Sequence, residues 1–234
     1  VDASTDPTPD LGNASGGISM SHTHATVFAG GHPPRRDIAD RLPAATTVIA
    51  ADSGWHHAVG AGLMPSVLVG DLDSIGDDGL AAARASGCEV VGHPADKDAT
   101  DVELALCLAR ERGARRIDVV SGGGDRPDHV LALLHVLAAD TFSDTEIGGW
   151  LGHSRLVVCR PGLPVALPAE PGDTVSLVPI GGDATVSASG LRWTLDRAVL
   201  QAHSSRGVSN IAGVQPCVTV HSGRLLAFVD GVAS

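Results

Sequence analysis

Carboxylates recur in this sequence at positions where apolar runs end. Asp52 follows Thr46–Ala51, and Asp71 and Asp73 follow Val67-Leu68-Val69-Gly70. Asp96, Asp98 and Asp101 crowd one short turn with Lys97 and Thr100. Two carboxylates two residues apart in a tight turn can converge on one cation, and a hard divalent ion such as Mg²⁺ takes such oxygen ligands together with phosphate oxygens. The competing reading is a solvated turn, since Gly, Asp and Ser are ordinary turn residues. Lys97 supplies a point charge suited to a phosphate. Farther on, Ser121-Gly122-Gly123-Gly124-Asp125-Arg126-Pro127-Asp128-His129 joins a strand to a helix. Its glycines let a ligand approach backbone amides, Arg126 offers a bidentate phosphate clamp, and Asp128 suits the positive start of a helix.

These residues need elements to hold them. Apolar runs of strand length at Ala25–Ala29, Thr46–Ala51, Val67–Val69, Cys88–Val91 and Ile117–Val120 alternate with helical patterns at Arg35–Leu42, Trp55–Ala61, Asp77–Ser86, Asp101–Glu111 and Val130–Ala138. Such alternation predicts βαβ units in a mostly parallel sheet, with ligands at the carboxyl ends of the strands. Thr100 and Glu103 form a T-x-x-E capping box at the head of the fourth helix. After Gly148 helical periodicity stops. Short strands are expected at Leu156–Cys159, Thr174–Pro179, Thr185–Ala188, Ala198–Gln201, Gln215–His221 and Leu225–Val229, separated by Pro-Gly, Gly-Gly and Ser-Gly turns. The fold class expected is therefore α/β: a Rossmann-like α/β/α domain over residues 25–152, then a smaller all-β sandwich over 153–234, after a disordered leader at 1–24. His22 and His24 form a lone H-x-H that reads as part of that leader.

Composition narrows the function. With 43% hydrophobic and 18% charged residues the chain reads as a soluble globular protein. A net charge of -11 argues against an extended nucleic-acid surface, which needs Lys and Arg to neutralise phosphates. The cysteines, Cys88, Cys107, Cys159 and Cys217, contain no C-x-x-C, so neither a zinc site nor a redox motif is expected, and reduced thiols in a cytoplasmic protein are. No apolar run is long enough to span a bilayer, and no secretory signal pattern is present, so no membrane association is expected.

Taken in order, Ala51-Asp52-Ser53-Gly54, Pro65, Gly70-Asp71-Leu72-Asp73-Ser74, Lys97-Asp98-Ala99-Thr100-Asp101 and Arg126-Pro127-Asp128-His129 resemble the thiamine pyrophosphokinase family. Ser189-Gly190-Leu191-Arg192-Trp193-Thr194-Leu195 is similar to its T-G-L-x-W-x-L stretch, and Gly207-Val208-Ser209-Asn210 to its G-x-S-N turn. The resemblance runs from about Ala25 to Val229. It implies Mg²⁺-dependent transfer of diphosphate from ATP to the hydroxyl of thiamine, in a homodimer whose active sites lie between subunits. It implies Mg²⁺ on Asp71, Asp73 and Asp101, with Asp52 and Asp98 near the polyphosphate. Lys97, Thr100, Arg126, Asp128 and His129 would lie on the ATP side; Trp193, Ser209 and Asn210 would lie on the thiamine side. The proton acceptor stays open between Asp98 and Asp101. The sequence departs from the family at Ser53 and Asp125, where glycine is common, at Leu133, where asparagine is common, and at Lys97, where some members have glutamine. A metal-dependent sugar-nucleotide transferase and a non-catalytic thiamine or nucleotide sensor are the other readings that the residues allow.

Overall fold

The computed structural model describes residues 23–124 and 126–231. Residues 1–22, Asp125 and residues 232–234 lie outside them. The leader expected over 1–24 is corrected at its end: Thr23 and His24 open the first strand, and His24 is buried there with its Nε2 2.9 Å from Asp118 Oδ2, so it is not part of a tail. Parallel strands β1 (Thr23–Phe28), β2 (Thr47–Ala51), β3 (Val67–Gly70), β4 (Glu89–Gly92), β5 (Ala114–Ser121) and β6 (Glu146–Leu151) stand in the order β6-β5-β1-β2-β3-β4. Helices α1 (Ile38–Arg41), α2 (Gly54–Gly60), α3 (Gly76–Ala85), α4 (Asp101–Glu111) and α5 (Pro127–Leu137) supply the crossovers.

Strand residues alternate between two cores, as a pleat with period two requires. Val27, Ile49, Val69 and Val119 meet Ala105, Leu106 and Ala109 of α4 and Leu133 and Leu137 of α5. On the opposite face, Ala50 and Leu68 meet Trp55 of α2 and Ala83 of α3, and Phe28 and Val120 meet Ile38 and Ala58. From β1 the chain winds outward through β2, β3 and β4, then returns to the other side of β1 as β5. The crevice expected for a ligand in an open α/β sheet therefore falls beyond the ends of β1 and β5.

The remaining strands are antiparallel. β7 (Ser154–Cys159) turns back on β6 and continues the same sheet through β13 (Leu225–Asp230) and β9 (Thr174–Pro179). β12 (Asn210–Ser222) pairs with β9 through Asn210 and Ile211, then leaves it to pair with β10 (Ala184–Leu191), which carries β11 (Leu195–Leu200); β8 (Val165–Ala166) also joins β12. Val175, Leu177 and Ala227 of one layer share a core with Val186, Val218 and Val220 of the other. The fold is thus a parallel α/β region followed by an antiparallel β region, and the sheet runs without a break from one into the other.

Several elements differ from expectation: β8 was not foreseen, and β10 and β11 begin earlier. Three further differences have a visible cause. β6 includes Gly148 and Gly149, which hide a strand from a propensity reading. β12 extends well beyond Gln215–His221 because successive parts of it pair with different neighbours. The Arg35–Leu42 helix contracts to Ile38–Arg41, because Arg35 and Arg41 both turn onto Asp37. Among the described residues no helix is long and apolar enough to cross a membrane.

Candidate active site

β2 ends one residue before Asp52, whose backbone N–H donates to Val69 O at 2.9 Å and thereby ties it to β3. Asp52 adopts a φ of +46°, in the left-handed region that non-glycine residues seldom occupy. That turn directs its carboxyl inward, where it is 6% exposed. Its Oδ2 accepts hydrogen bonds from Ser74 Oγ and, at 3.4 Å, from Ser74 N. Its Oδ1 is buried without a hydrogen-bond partner.

Gly70 at the end of β3 has a φ of +151°, and a Cβ there would stand 3.1 Å from Asp101 Cγ and 3.2 Å from Asp52 Cβ. Only glycine lets the strand end pass between these carboxylates without displacing them. Asp71 follows directly. Asp101 is delivered by the first turn of α4, which Thr100 caps by accepting from Glu103 N at 3.3 Å. Carboxylate oxygens of Asp52, Asp71 and Asp101 lie within 4.8 Å of one another. Lys97 Nζ stands 2.9 Å from both Asp71 Oδ2 and Asp101 Oδ1.

Charge follows this geometry. The hydrogen bond from Lys97 holds the Asp71 carboxyl below the usual carboxylate range. Burial pulls the Lys97 ammonium toward neutrality, but the carboxylates of Asp71, to which it donates a hydrogen bond, and Asp101, with which it is ion-paired, outweigh that and hold it above the ordinary lysine value. Asp73 lies exposed at the rim, and the negative charge of Asp71, then burial, then the charge of Asp52 raise its carboxyl.

These groups form one wall of a cleft of about 540 Å³ that opens beyond the strand ends. Asp52, Asp71, Asp73, Lys97, Thr100 and Asp101 line it, and Gly123, Gly124, Arg126 and His129 line it from the β5–α5 turn. Gly30 and Gly31 after β1 and Ser121 at the end of β5 complete the crevice at the point where the strand order reverses. Arg126 forms a bidentate pair with Asp128, Nε to Oδ1 at 3.0 Å and Nη2 to Oδ2 at 2.6 Å, and this contact holds the Asp128 carboxyl down at about 2. Asp98 is exposed and does not line the cleft.

The β-region residues stand elsewhere. Trp193, Ser209 and Asn210 do not line this cleft. The Trp193 side chain is 57% exposed, with the Arg192 guanidinium 5.7 Å from its ring. Asn210 is buried, and its amide is committed to backbone: Nδ2 donates to Trp193 O at 2.7 Å, while Oδ1 accepts from Trp193 N at 3.1 Å and Ile211 N at 2.9 Å. Asn210 therefore fixes the loop that presents Trp193. Ser209 adopts a φ of +61°.

In the sequence the Gly30-Gly31 pair reads either as a plain turn or as a place where a phosphate can approach the backbone, and Ser74 and Ser121 were visible only as members of their motifs. Gly70 was visible as a turn residue and as part of the Gly70–Ser74 motif; its close approach to Asp52 and Asp101 was not. The acidic end of the cleft offers an all-oxygen donor set with two buried carboxylate oxygens that accept no hydrogen bond, Asp52 Oδ1 and Asp101 Oδ1, the second ion-paired with Lys97, and this fits a hard divalent cation. The glycine-rich end, with Arg126 and His129 in its lining, offers backbone amides and side-chain N–H donors to an anionic ligand.

Two family models match this chain. One, described as thiamin pyrophosphokinase, catalytic domain, covers residues 39–148; the other, described as thiamin pyrophosphokinase, vitamin B1 binding domain, covers 164–225. The chain is 24% identical over 188 residues to the thiamine pyrophosphokinase of Bacillus subtilis (strain 168), spanning 80% of this chain and 85% of that protein. The crystal structure of thiamine pyrophosphokinase from Bacillus subtilis superposes with a TM-score of 0.77 at 23% identity, covering 90% of this chain and 100% of that one. Yeast thiamin pyrophosphokinase has a TM-score of 0.71 at 14% identity, covering 91% of this chain and 87% of that one. At such identities the solved structures establish a shared fold.

Proposed function

The chain belongs to the thiamin pyrophosphokinase family, and on that premise we propose that it transfers a diphosphate group from ATP to the hydroxyl of thiamine. The observation that carries this reading is the placement of Asp52, Asp71 and Asp101 within 4.8 Å of one another on the wall of a cleft whose opposite end is glycine-rich. Residues 25–152 serve as the ATP-binding half and 153–234 as the thiamine-binding half.

In the reaction the hydroxyl oxygen of thiamine attacks the β-phosphorus of ATP. The bond from that phosphorus to the oxygen bridging the α- and β-phosphates breaks, and AMP leaves with that oxygen. The hydroxyl proton passes to a carboxylate; of the two expected candidates Asp101 lines the cleft and Asp98 stands outside it. Asp52, Asp71 and Asp101, with Asp73 at the rim, would hold Mg²⁺, which when bound would supply charge neutralisation to the polyphosphate. The chain's own contribution is positioning. Gly30, Gly123 and Gly124 let the nucleotide approach the backbone, while Arg126 and His129 face its anionic portion. Trp193, held by Asn210, offers a flat aromatic face to the cationic heterocycle of thiamine.

The test mixes purified protein, ATP, thiamine and Mg²⁺ and quantifies AMP and thiamine diphosphate. Equimolar products that vanish when Mg²⁺ is omitted are expected. Binding of both ligands without AMP release would instead make the chain a sensor that keeps the fold.

A further inference from the structure

Lys97 already holds two of the three carboxylates that could ligate a cation here. Its ammonium lies 2.9 Å from Asp71 Oδ2 and 2.9 Å from Asp101 Oδ1, two of the carboxylates whose oxygens converge within 4.8 Å. The side chains of all three residues are largely shielded from water, so the contacts are only weakly screened. A divalent cation on the same oxygens would meet the ammonium at close range, and like charges at such a distance repel strongly. Both cannot hold those oxygens together. The lysine stem is long and flexible, and Lys97 already lines the cleft that would receive a polyphosphate.

We propose that Lys97 is an exchangeable counter-ion: it neutralises Asp71 and Asp101 in the metal-free protein, gives them up when a metal–nucleotide complex arrives, and turns to the polyphosphate. The proposal rests on the reading of the cleft as a metal–nucleotide site. It explains how acidic groups this close persist in a folded chain before a metal binds, and it makes metal and nucleotide binding mutually reinforcing. A metal arriving alone must expel Lys97 to no new partner. A metal arriving with a polyphosphate brings that partner with it. By linkage, each ligand then tightens the other by the same factor.

The test is a Mn²⁺ titration of the full chain by calorimetry, without nucleotide and with α,β-methylene ATP, for the wild type, Lys97→Met and Lys97→Gln. In the wild type the analogue strengthens Mn²⁺ binding. Without nucleotide, Lys97→Met is expected to bind Mn²⁺ about tenfold more tightly than the wild type, and the gain on adding the analogue is expected to shrink by a similar factor. Melting of the same proteins in chelator reads the other half of the exchange: Lys97→Met melts lower than the wild type, and Mn²⁺ restores it. If Lys97→Met does not fold, Lys97→Gln, which keeps a hydrogen-bond donor without the charge, decides the question by the same titration. Unchanged or weaker Mn²⁺ binding by the folded variant, without nucleotide, overturns the proposal. No thiamine and no turnover enter this experiment. A wild type that binds no Mn²⁺ even with the analogue would instead remove the metal–nucleotide reading itself.

Discussion

Asp52 separates the demands of function from those of stability. Its Oδ1 has no hydrogen bond to lose, while Oδ2 is held by Ser74. Asp52→Asn keeps the shape and an oxygen for Ser74 but removes the charge. Turnover should fall by about 10²–10³-fold, the scale at which loss of one charge-stabilising group is felt, with the thermal midpoint little changed. A variant that kept full turnover would exclude Asp52 from the metal group. Asp71→Ala should lose activity to a similar extent. It also releases Lys97 from one of its two partners, so its melting temperature reports the ion pair separately.

Cys159 provides a different residue-scale test. Its side chain is 0% exposed, and burial first, then the neighbouring Cys217, pushes the thiol up to about 12. In the unfolded chain the thiol ionises near its ordinary value. A raised pKa in the folded state means that stability is fully present below the unfolded value and is lost as pH rises toward the folded one. Urea denaturation should therefore show stability falling above about pH 9, with up to about 1.4 kcal/mol per pH unit coming from this one group. Cys159→Ala should be less stable at neutral pH and lose stability less steeply above pH 9. Equal alkaline slopes would show that the thiol does not set them.

The residue scale also marks what a linear chain can disclose. Asp52, Asp71 and Asp101 were legible because each lies at a strand end or helix start, and a parallel sheet puts such positions on one edge. Lys97 was legible as a cation beside carboxylates. That it bridges Asp71 and Asp101 was not, because the contact depends on how the β4–α4 loop folds back across the end of β3. The committed amide of Asn210 was hidden for the same reason: its partners on Trp193 lie across a β-region turn.

At the scale of elements, caps and glycines set the boundaries. α4 begins and ends where the sequence placed it, and its start is fixed by Thr100, whose hydroxyl accepts from Glu103 N, one of the two bonds of a capping box. α2 is fixed more severely. A Cβ at Gly54 would fall 2.2 Å from Phe28 O, so this glycine lets the start of α2 lie directly on β1 beside the cleft. Gly60, at the other end of the same helix, faces open space. Gly54→Ala should cost about 3 kcal/mol or more, because it collides with backbone that cannot yield cheaply. Gly60→Ala should be neutral or stabilise by about 0.5 kcal/mol through the unfolded chain. Chemical denaturation of the pair separates close packing from helix propensity; similar effects at both sites would remove the packing argument. β6 shows the opposite limit of local reading. Gly149 lies opposite Val119 of β5, and a Cβ there would fall 2.0 Å from Val119 O, so the backbone approach that requires glycine also erases the usual strand signature.

For the whole molecule, the continuous sheet raises the question of how two halves make one site. The change from helical to strand periodicity was plain in the sequence, but the β6–β7 turn that carries the sheet across it was not, because pairing between distant strands leaves no local trace. The cleft is lined by residues between Ala29 and Leu133, all in the parallel region. Trp193, offered above as the thiamine platform, is half-exposed on the β region and does not line it. The homodimer proposed from family resemblance resolves this if each cleft receives Trp193 from the other subunit. Asp71→Ala and Trp193→Ala would then damage opposite halves of each site. Alone, either variant should show little activity. Mixed by joint refolding or co-expression, half of the dimers are heterodimers, and in each of these one site pairs an intact cleft with an intact Trp193. About a quarter of wild-type activity should return. If each site were built within one chain, every site in the mixture would carry a lesion and no activity would reappear. The mixed sample therefore distinguishes a site shared between subunits from one that a single chain completes by itself.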